Sequence, residues 1–287
     1  MEHSPASTYI SSRRIGDATV TIVLEGSCLW APRFQVPDEV ARQAMPDADP
    51  QGRIRIAFNV AHIALPGASV LVDPGFDEPA SAWNHAFGSR WPEYARTPGL
   101  MTALATMGVS PGGVTHVVIT HAHDDHFAGV AVEQAGGYAP RFPRARHYIG
   151  RQDWEGNPRR HEPDSELANR LGAVERTGAL ELVDDEHDVA PGVSMIHTPG
   201  ETAGHCVVRV RSGEGTFLYA GDLFHHACEV EHPEWVPPNR DPAIARASRE
   251  RFIAGAAGAT VVFSHGPFPG WGRIVRRGEG YCWERIA

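Results

Sequence analysis

The hexad His121-Ala122-His123-Asp124-Asp125-His126 packs three imidazoles and two carboxylates into six residues, directly after the apolar run 117–120. Imidazole nitrogen and carboxylate oxygen suit zinc, manganese, iron or cobalt, and a turn at the end of a strand can aim alternate side chains at one point. The chemistry this predicts is a metal centre that activates water. Three more donors stand beside small residues, where a ligand can approach a cation without crowding: His205 after Gly204, Asp222 after Gly221 and His265 after Ser264. No Gly-x-Ser-x-Gly elbow offers a serine nucleophile. All 26 basic residues are arginine, which excludes a lysine Schiff base.

Donors so far apart in the chain need strand ends to hold them. Alternation over 19–24 and 53–58 predicts half-buried strands, and the apolar run 69–72 predicts a short buried strand stopping at Asp73-Pro74-Gly75. Residues 100–107 have a helical period and stop at Gly108, after which a strand over 114–120 delivers the hexad. Further strands are predicted at 145–149, 180–183, 193–197, 206–210, 216–220 and 260–263, with helices at 164–176 and 243–257. The strand-rich then helical order recurs in both halves, which fits two αβ halves around one β-sandwich core in a single domain over 1–287. Residues 76–99 carry Trp83, Phe87, Trp91 and Tyr94 among polar residues and glycines. That stretch predicts either a lid or pocket wall, or a helix packing its own aromatics.

The composition, 42% hydrophobic and 21% charged, is that of an ordinary globular protein able to bury a substantial core. A net charge of -9, with basic residues only in short pairs such as Arg159-Arg160, argues against a nucleic-acid partner. Cys28, Cys206, Cys228 and Cys282 form no C-x-x-C pair and read as isolated buried thiols. The first thirty residues lack the apolar stretch of a secretory signal and no run approaches the length of a membrane span, so the expectation is a cytoplasmic protein without a membrane partner. A homodimer is compatible with this sequence.

The order His-x-His-x-Asp-His, then Gly204-His205, then Gly221-Asp222, then Ser264-His265 resembles the metallo-β-lactamase-fold hydrolase superfamily, over about two-thirds of the chain from Asp73 to His265. The resemblance implies an α/β fold, a four-layer αββα sandwich, with two divalent metal ions in a cleft at the edge of the sheets. Zinc is the first expectation, with manganese, iron or cobalt as alternatives. It assigns His121, His123 and His205 to one ion, Asp125, His126 and His265 to the other, and Asp222 as the carboxylate between them. Asp73 matches the family's aspartate at an early strand end, with the implied role of orienting a ligand imidazole. Asp222 separates the chain from the β-lactamase branches, which carry Cys or Ser there, and His123 separates it from the flavin-linked di-iron reductases, which carry Glu. The stretches 221–226 and 264–272 look most like the branch of quorum-sensing lactonases and methyl-parathion-hydrolase-like enzymes. One departure is His225, where acyl-homoserine lactonases place a tyrosine.

Two cations sharing an oxygen ligand hold hydroxide near neutral pH and polarise a carbonyl or phosphoryl oxygen. The expected reaction is therefore hydrolysis of a small-molecule lactone or carboxylic ester by a hydroxide between the ions. Thioesters and phosphotriesters are the alternative substrates, and a metal-containing binding protein without turnover is the rival from another class. Asp125 and His225 are the candidate catalytic residues, His225 as a hydrogen-bond donor to the substrate carbonyl or leaving oxygen, with His226 a neighbouring candidate. Trp83, Phe87, Trp91, Trp235, Phe268 and Trp271 are candidates for an apolar pocket wall.

Overall fold

Successive residues of a strand point to opposite faces, and in the central strands of this chain both faces are apolar. The computed structural model describes residues 8–286. Its first sheet runs in sequence order through β1 (Ile10–Ile15), β2 (Ala18–Trp30), β3 (Ile54–Leu65), β4 (Ala68–Val72), β5 (His116–Val118), β6 (Arg146–Gly150) and β7 (Leu180–Val183), with Ala95–Arg96 added beside β2. The first four strands pair antiparallel and the last three join in parallel. A second sheet follows, again in sequence order: β8 (Glu186–Ala190), β9 (Val193–His197), β10 (Cys206–Ser212), β11 (Gly215–Tyr219), β12 (Thr260–Val262), β13 (Gly272–Arg277) and β14 (Gly280–Arg285).

The alternation explains the layers. Val70, Val72 and Val118 pack between the sheets against Val208, Phe217, Tyr219 and Val262. Their chain neighbours Leu71, Val117 and Ile119 face the other way, onto Leu100, Ala103 and Leu104 of the helix Leu100–Thr106. In the second sheet Val207, Leu218 and Val261 likewise turn outward onto Phe252 and Ile253 of the helix Pro242–Gly255. The result is helix, sheet, sheet, helix, the αββα sandwich. It also corrects the half-buried reading of 19–24 and 53–58. Those residues belong to strands of thirteen and twelve residues buried on both faces over most of their length, because a sheet between a helix layer and a second sheet has no wet side.

Local signals fix the element ends. Asp241 accepts from the N–H groups of Ala243 and Ile244, and Pro242 occupies the first turn of its helix. The helix expected over 164–176 starts later, with a wide turn at Leu167–Leu171 before Gly172–Arg176, because Ser165 caps it by accepting from the Ala168 N–H. All four cysteines are free and buried. Among the described residues no helix is long and apolar enough to cross a membrane.

His62 and His147 lie buried in this framework, away from the hexad, and burial lowers each imidazole to about 4. The unfolded chain, with ordinary histidines near 6.5, then binds more protons than the folded one between those values. Stability is therefore complete above pH 6.5 and falls as pH drops toward 4, by up to about 3 kcal/mol per histidine. Urea midpoints measured across that range should show a shallower acid loss in His147→Asn than in the wild type. Parallel curves would contradict the assignment.

Candidate metal centre

The sandwich brings five separate chain segments to one edge. Asp73 follows β4, the hexad follows β5, His205 precedes β10, Asp222 follows β11 and His265 follows β12. The two sheets are stitched together there. The Cys206 N–H donates to the Thr120 carbonyl (2.8 Å), and the Asn59 N–H to the Ser264 carbonyl (2.9 Å). Gly75 is required for this closeness: a Cβ on it would lie 1.7 Å from the Asp125 carbonyl oxygen. Gly221 has φ +55°, a conformation that favours glycine, and a Cβ there would meet His205 Nε2 at 2.8 Å.

Asp222 is the hub of the donors. Its Oδ2 lies 3.1 Å from His265 Nε2, 3.3 Å from His225 Nε2 and 3.6 Å from His121 Nε2, while its Oδ1 lies 3.4 Å from His126 Nε2. Asp125 Oδ2 reaches His265 Nε2 at 3.5 Å and His126 Nε2 at 3.7 Å. His121 Nε2 and His123 Nδ1 stand 2.8 Å apart. Donor atoms converge within 4.8 Å in three overlapping groups: His121, His123, Glu201 and Asp222; Asp125, His126 and His265; Asp222, His225 and His265.

Six of the seven donors expected from the sequence fall inside these groups. The seventh, His205, lies beside them: its ring is 5.3 Å from that of His121, and its Nε2 accepts from the Asp222 N–H at 3.2 Å. Glu201 was not foreseen. It sits in the turn before His205, with Oε1 3.5 Å from His123 Nδ1 and 2.6 Å from Arg240. A glutamate within Thr198-Pro199-Gly200-Glu201 reads as an ordinary loop carboxylate until the turn folds over the hexad.

The electrostatics fit a cation. Burial holds His121 well below the ordinary histidine range, so its nitrogen lone pair is free to bind. Burial opposes charge on His126 too, yet the carboxylates of Asp222, Asp73 and Asp125 outweigh it and hold that imidazole well above the ordinary range. Burial likewise opposes ionisation of Asp222, and the surrounding imidazoles, His126 first, hold it well below the usual carboxylate range. His126 Nε2 and Asp222 Oδ1 are both buried without a hydrogen-bond partner. Leaving such groups unpaired costs about 1–3 kcal/mol each, and a shared divalent cation would satisfy both. The donor set, imidazole mixed with carboxylate, is chemically right for it.

Supporting residues hold the donors in place. Asp73 Oδ2 bonds His126 Nδ1 (2.9 Å), and its carboxylate accepts from the Thr120 N–H (2.7 Å) and hydroxyl (2.8 Å). Asp153 accepts from the Ala122 N–H, the Gly204 N–H and the Thr202 hydroxyl, tying the hexad to the loop that carries Glu201 and His205. Arg249 bonds Glu229 (2.6 Å), whose other oxygen accepts from the His225 and His226 N–H groups. Asp73 sits at φ +52°, a conformation asparagine also tolerates, so Asp73→Asn keeps the shape and backbone but loses the charge. It should weaken metal binding by about 10–100-fold, read by competition with a chromogenic chelator.

His225 lies against the cluster, stacked between His265 and Trp30 with ring centroids 5.4 and 5.1 Å away. Burial lowers its pKa, but Asp222, Glu229 and Glu201 raise it to about 9. His226 turns away to Asp47 (3.0 Å). An open cavity of about 530 Å³ lies over the donors, walled by Trp30, Ile56, Phe58, Phe87 and Trp91. Only Phe87 and Trp91 of the six aromatics expected in a wall line it. Trp271 and Phe268 pack between the sheets and Trp235 stacks on His232, while Trp83 stacks behind Phe87 at 5.0 Å. The segment 76–99 thus contributes both a helix packing its own aromatics, Ala82–Gly88 capped by Ser81, and part of the cavity wall.

Known proteins share this fold. The sequence profile described as the metallo-beta-lactamase superfamily matches residues 59–265. Metallo-beta-lactamase domain-containing protein 1 of Homo sapiens is 32% identical over 176 residues, covering 58% of this chain and 53% of the human protein. The chain thus spans about half the length of that curated relative. Two solved structures superpose over 97% of this chain and 98% of their own. One is the hydrolase AbOPH (TM-score 0.76) and the other is AidC, a dizinc quorum-quenching lactonase (TM-score 0.75), each 22% identical. At that identity the likeness is one of fold.

Proposed function

The chain belongs to the metallo-beta-lactamase superfamily, and from that premise we propose that it is a dinuclear metal-dependent hydrolase of a small lactone or carboxylic ester. The observation that carries the reading is Asp222, which lies within reach of His121 from one expected ligand set and of His126 and His265 from the other. One ion is assigned to His121, His123 and His205 with Glu201 beside them, the other to Asp125, His126 and His265, with Asp222 shared. When bound, such a pair of cations lowers the pKa of water and polarises the electrophilic oxygen of the substrate. The apolar wall of Trp30, Phe58, Phe87 and Trp91 holds the acyl or aryl part of the substrate and excludes water from it. His225, fixed by stacking and by Glu229 at its backbone, presents an imidazole N–H toward the reacting group. Asp73, bonded to His126 Nδ1, holds the proton on that nitrogen and leaves Nε2 for the ion. The dizinc lactonase of like fold favours zinc and lactones as the first choices.

The test is hydrolysis of a panel of lactones, aryl esters, thioesters and phosphotriesters by protein stripped with a chelator and reconstituted with zinc, manganese, iron or cobalt. Activity should vanish with the metal and return with two equivalents, highest on lactones or esters. A metal-loaded protein that turned over no member while binding one tightly would instead be a binding protein.

A further inference from the structure

The cavity over the donors is lined by four arginines and four carboxylates, and their pairing is uneven. Arg159 bonds Asp124 at 2.8 Å and Arg240 bonds Glu201 at 2.6 Å. Asp125 and Asp222 belong to the donor cluster, where cations would neutralise them. Arg33 and Arg90 make no ion pair among the described residues, and both are exposed at the cavity. They come from adjacent segments, the stretch after β2 and the loop after the helix Ala82–Gly88, which are joined by the Leu29 N–H donating to the Pro92 carbonyl (2.9 Å). The Arg90 guanidinium is held over the Phe87 ring, 4.9 Å from its centroid, and so stands directly on the apolar wall.

Building on the hydrolase reading above, we infer that the preferred substrate carries its own carboxylate, at the end remote from the scissile ester bond, and that Arg33 and Arg90 bind it. An apolar middle spans the aromatic wall and the carboxylate meets guanidinium groups that have no ion pair to give up among the described residues, which removes the usual cost of breaking one. In a chain of net charge -9, two arginines without an ion pair at the cavity over the donor cluster act as a local funnel for an anion. Loading the donor cluster with divalent cations makes the cavity more positive still.

The experiment compares para-acetoxybenzoate with its neutral methyl ester on the metal-reconstituted full chain. At low salt kcat/KM for the anion should exceed that for the neutral ester by about tenfold, mainly through KM, and the ratio should shrink as salt screens the pair. In the double variant Arg33→Gln, Arg90→Gln the ratio should fall to near one. A ratio at or below one in the wild type, or one unchanged in the variant, overturns the inference while leaving the hydrolase intact. If neither ester is turned over, the hydrolase reading fails only when no member of the lactone, ester, thioester and phosphotriester panel reacts either. Calorimetric binding of para-hydroxybenzoate against its methyl ester then decides the carboxylate site separately: tighter binding of the acid that is lost in the double variant supports it, and equal binding overturns it.

Discussion

Asp222→Ala is expected to remove both ions at once and to lower kcat/KM by about a thousandfold, the scale on which losing a transition-state charge stabiliser acts. The reason is geometric. Asp222 is buried at the meeting point of His121, His126, His225 and His265, and its two oxygens face different members of that ring. Deleting it removes the carboxylate beside His121 and leaves His126 and His265 with only Asp73 and Asp125, so both halves of the cluster lose a shared ligand and electrostatic anchor. Elemental analysis of metal per chain is the direct readout. Asp222→Asn, which keeps volume and one oxygen, guards against a simple folding failure and should retain structure with less than one equivalent bound. Full metal content with wild-type rate in either variant would end the bridging assignment.

The second large effect is expected at His225. The variant His225→Phe preserves a flat ring between His265 and Trp30 and removes the nitrogen that faces Asp222. If the imidazole hydrogen-bonds the substrate, kcat falls by about a hundredfold, KM moves little and both metal equivalents stay. His225 also belongs to a donor group with Asp222 and His265. Loss of a metal equivalent in the variant would show it to be a ligand instead, and would remove it from substrate chemistry. His226→Phe, which removes contacts to Asp47 and to the Cys228 N–H away from the donors, should leave both readouts alone.

The hexad made the metal chemistry legible because its donors are consecutive: a strand that ends at Val118 followed by a turn leaves His121, His123, Asp125 and His126 little freedom but to share one neighbourhood. Asp222 and His265 were legible for a related reason, each marked by a small residue at the end of an apolar run. Glu201 was not, since nothing local distinguishes it, and its role depends on Asp153 drawing its loop onto the hexad. The aromatic wall was misread for the same cause. Phe58 fell in a predicted strand and Trp30 was not singled out, yet both strands bring them to the cavity; Trp271, a candidate for the wall, instead fills the space between the sheets.

By itself, then, the sequence determined the donor types, the alternation that makes two sheets and the family to which both belong, because these follow from spacing along the chain. Only the tertiary structure decided which donors face one another, that Glu201 joins the donors beside His205, that His225 rather than His226 looks inward, and that two of the four cavity arginines make no ion pair among the described residues. Those outcomes depend on contacts between segments up to about two hundred residues apart, such as Asn59 with Phe263 and Gly266, and no local pattern encodes a distance that only the closing of the sandwich creates.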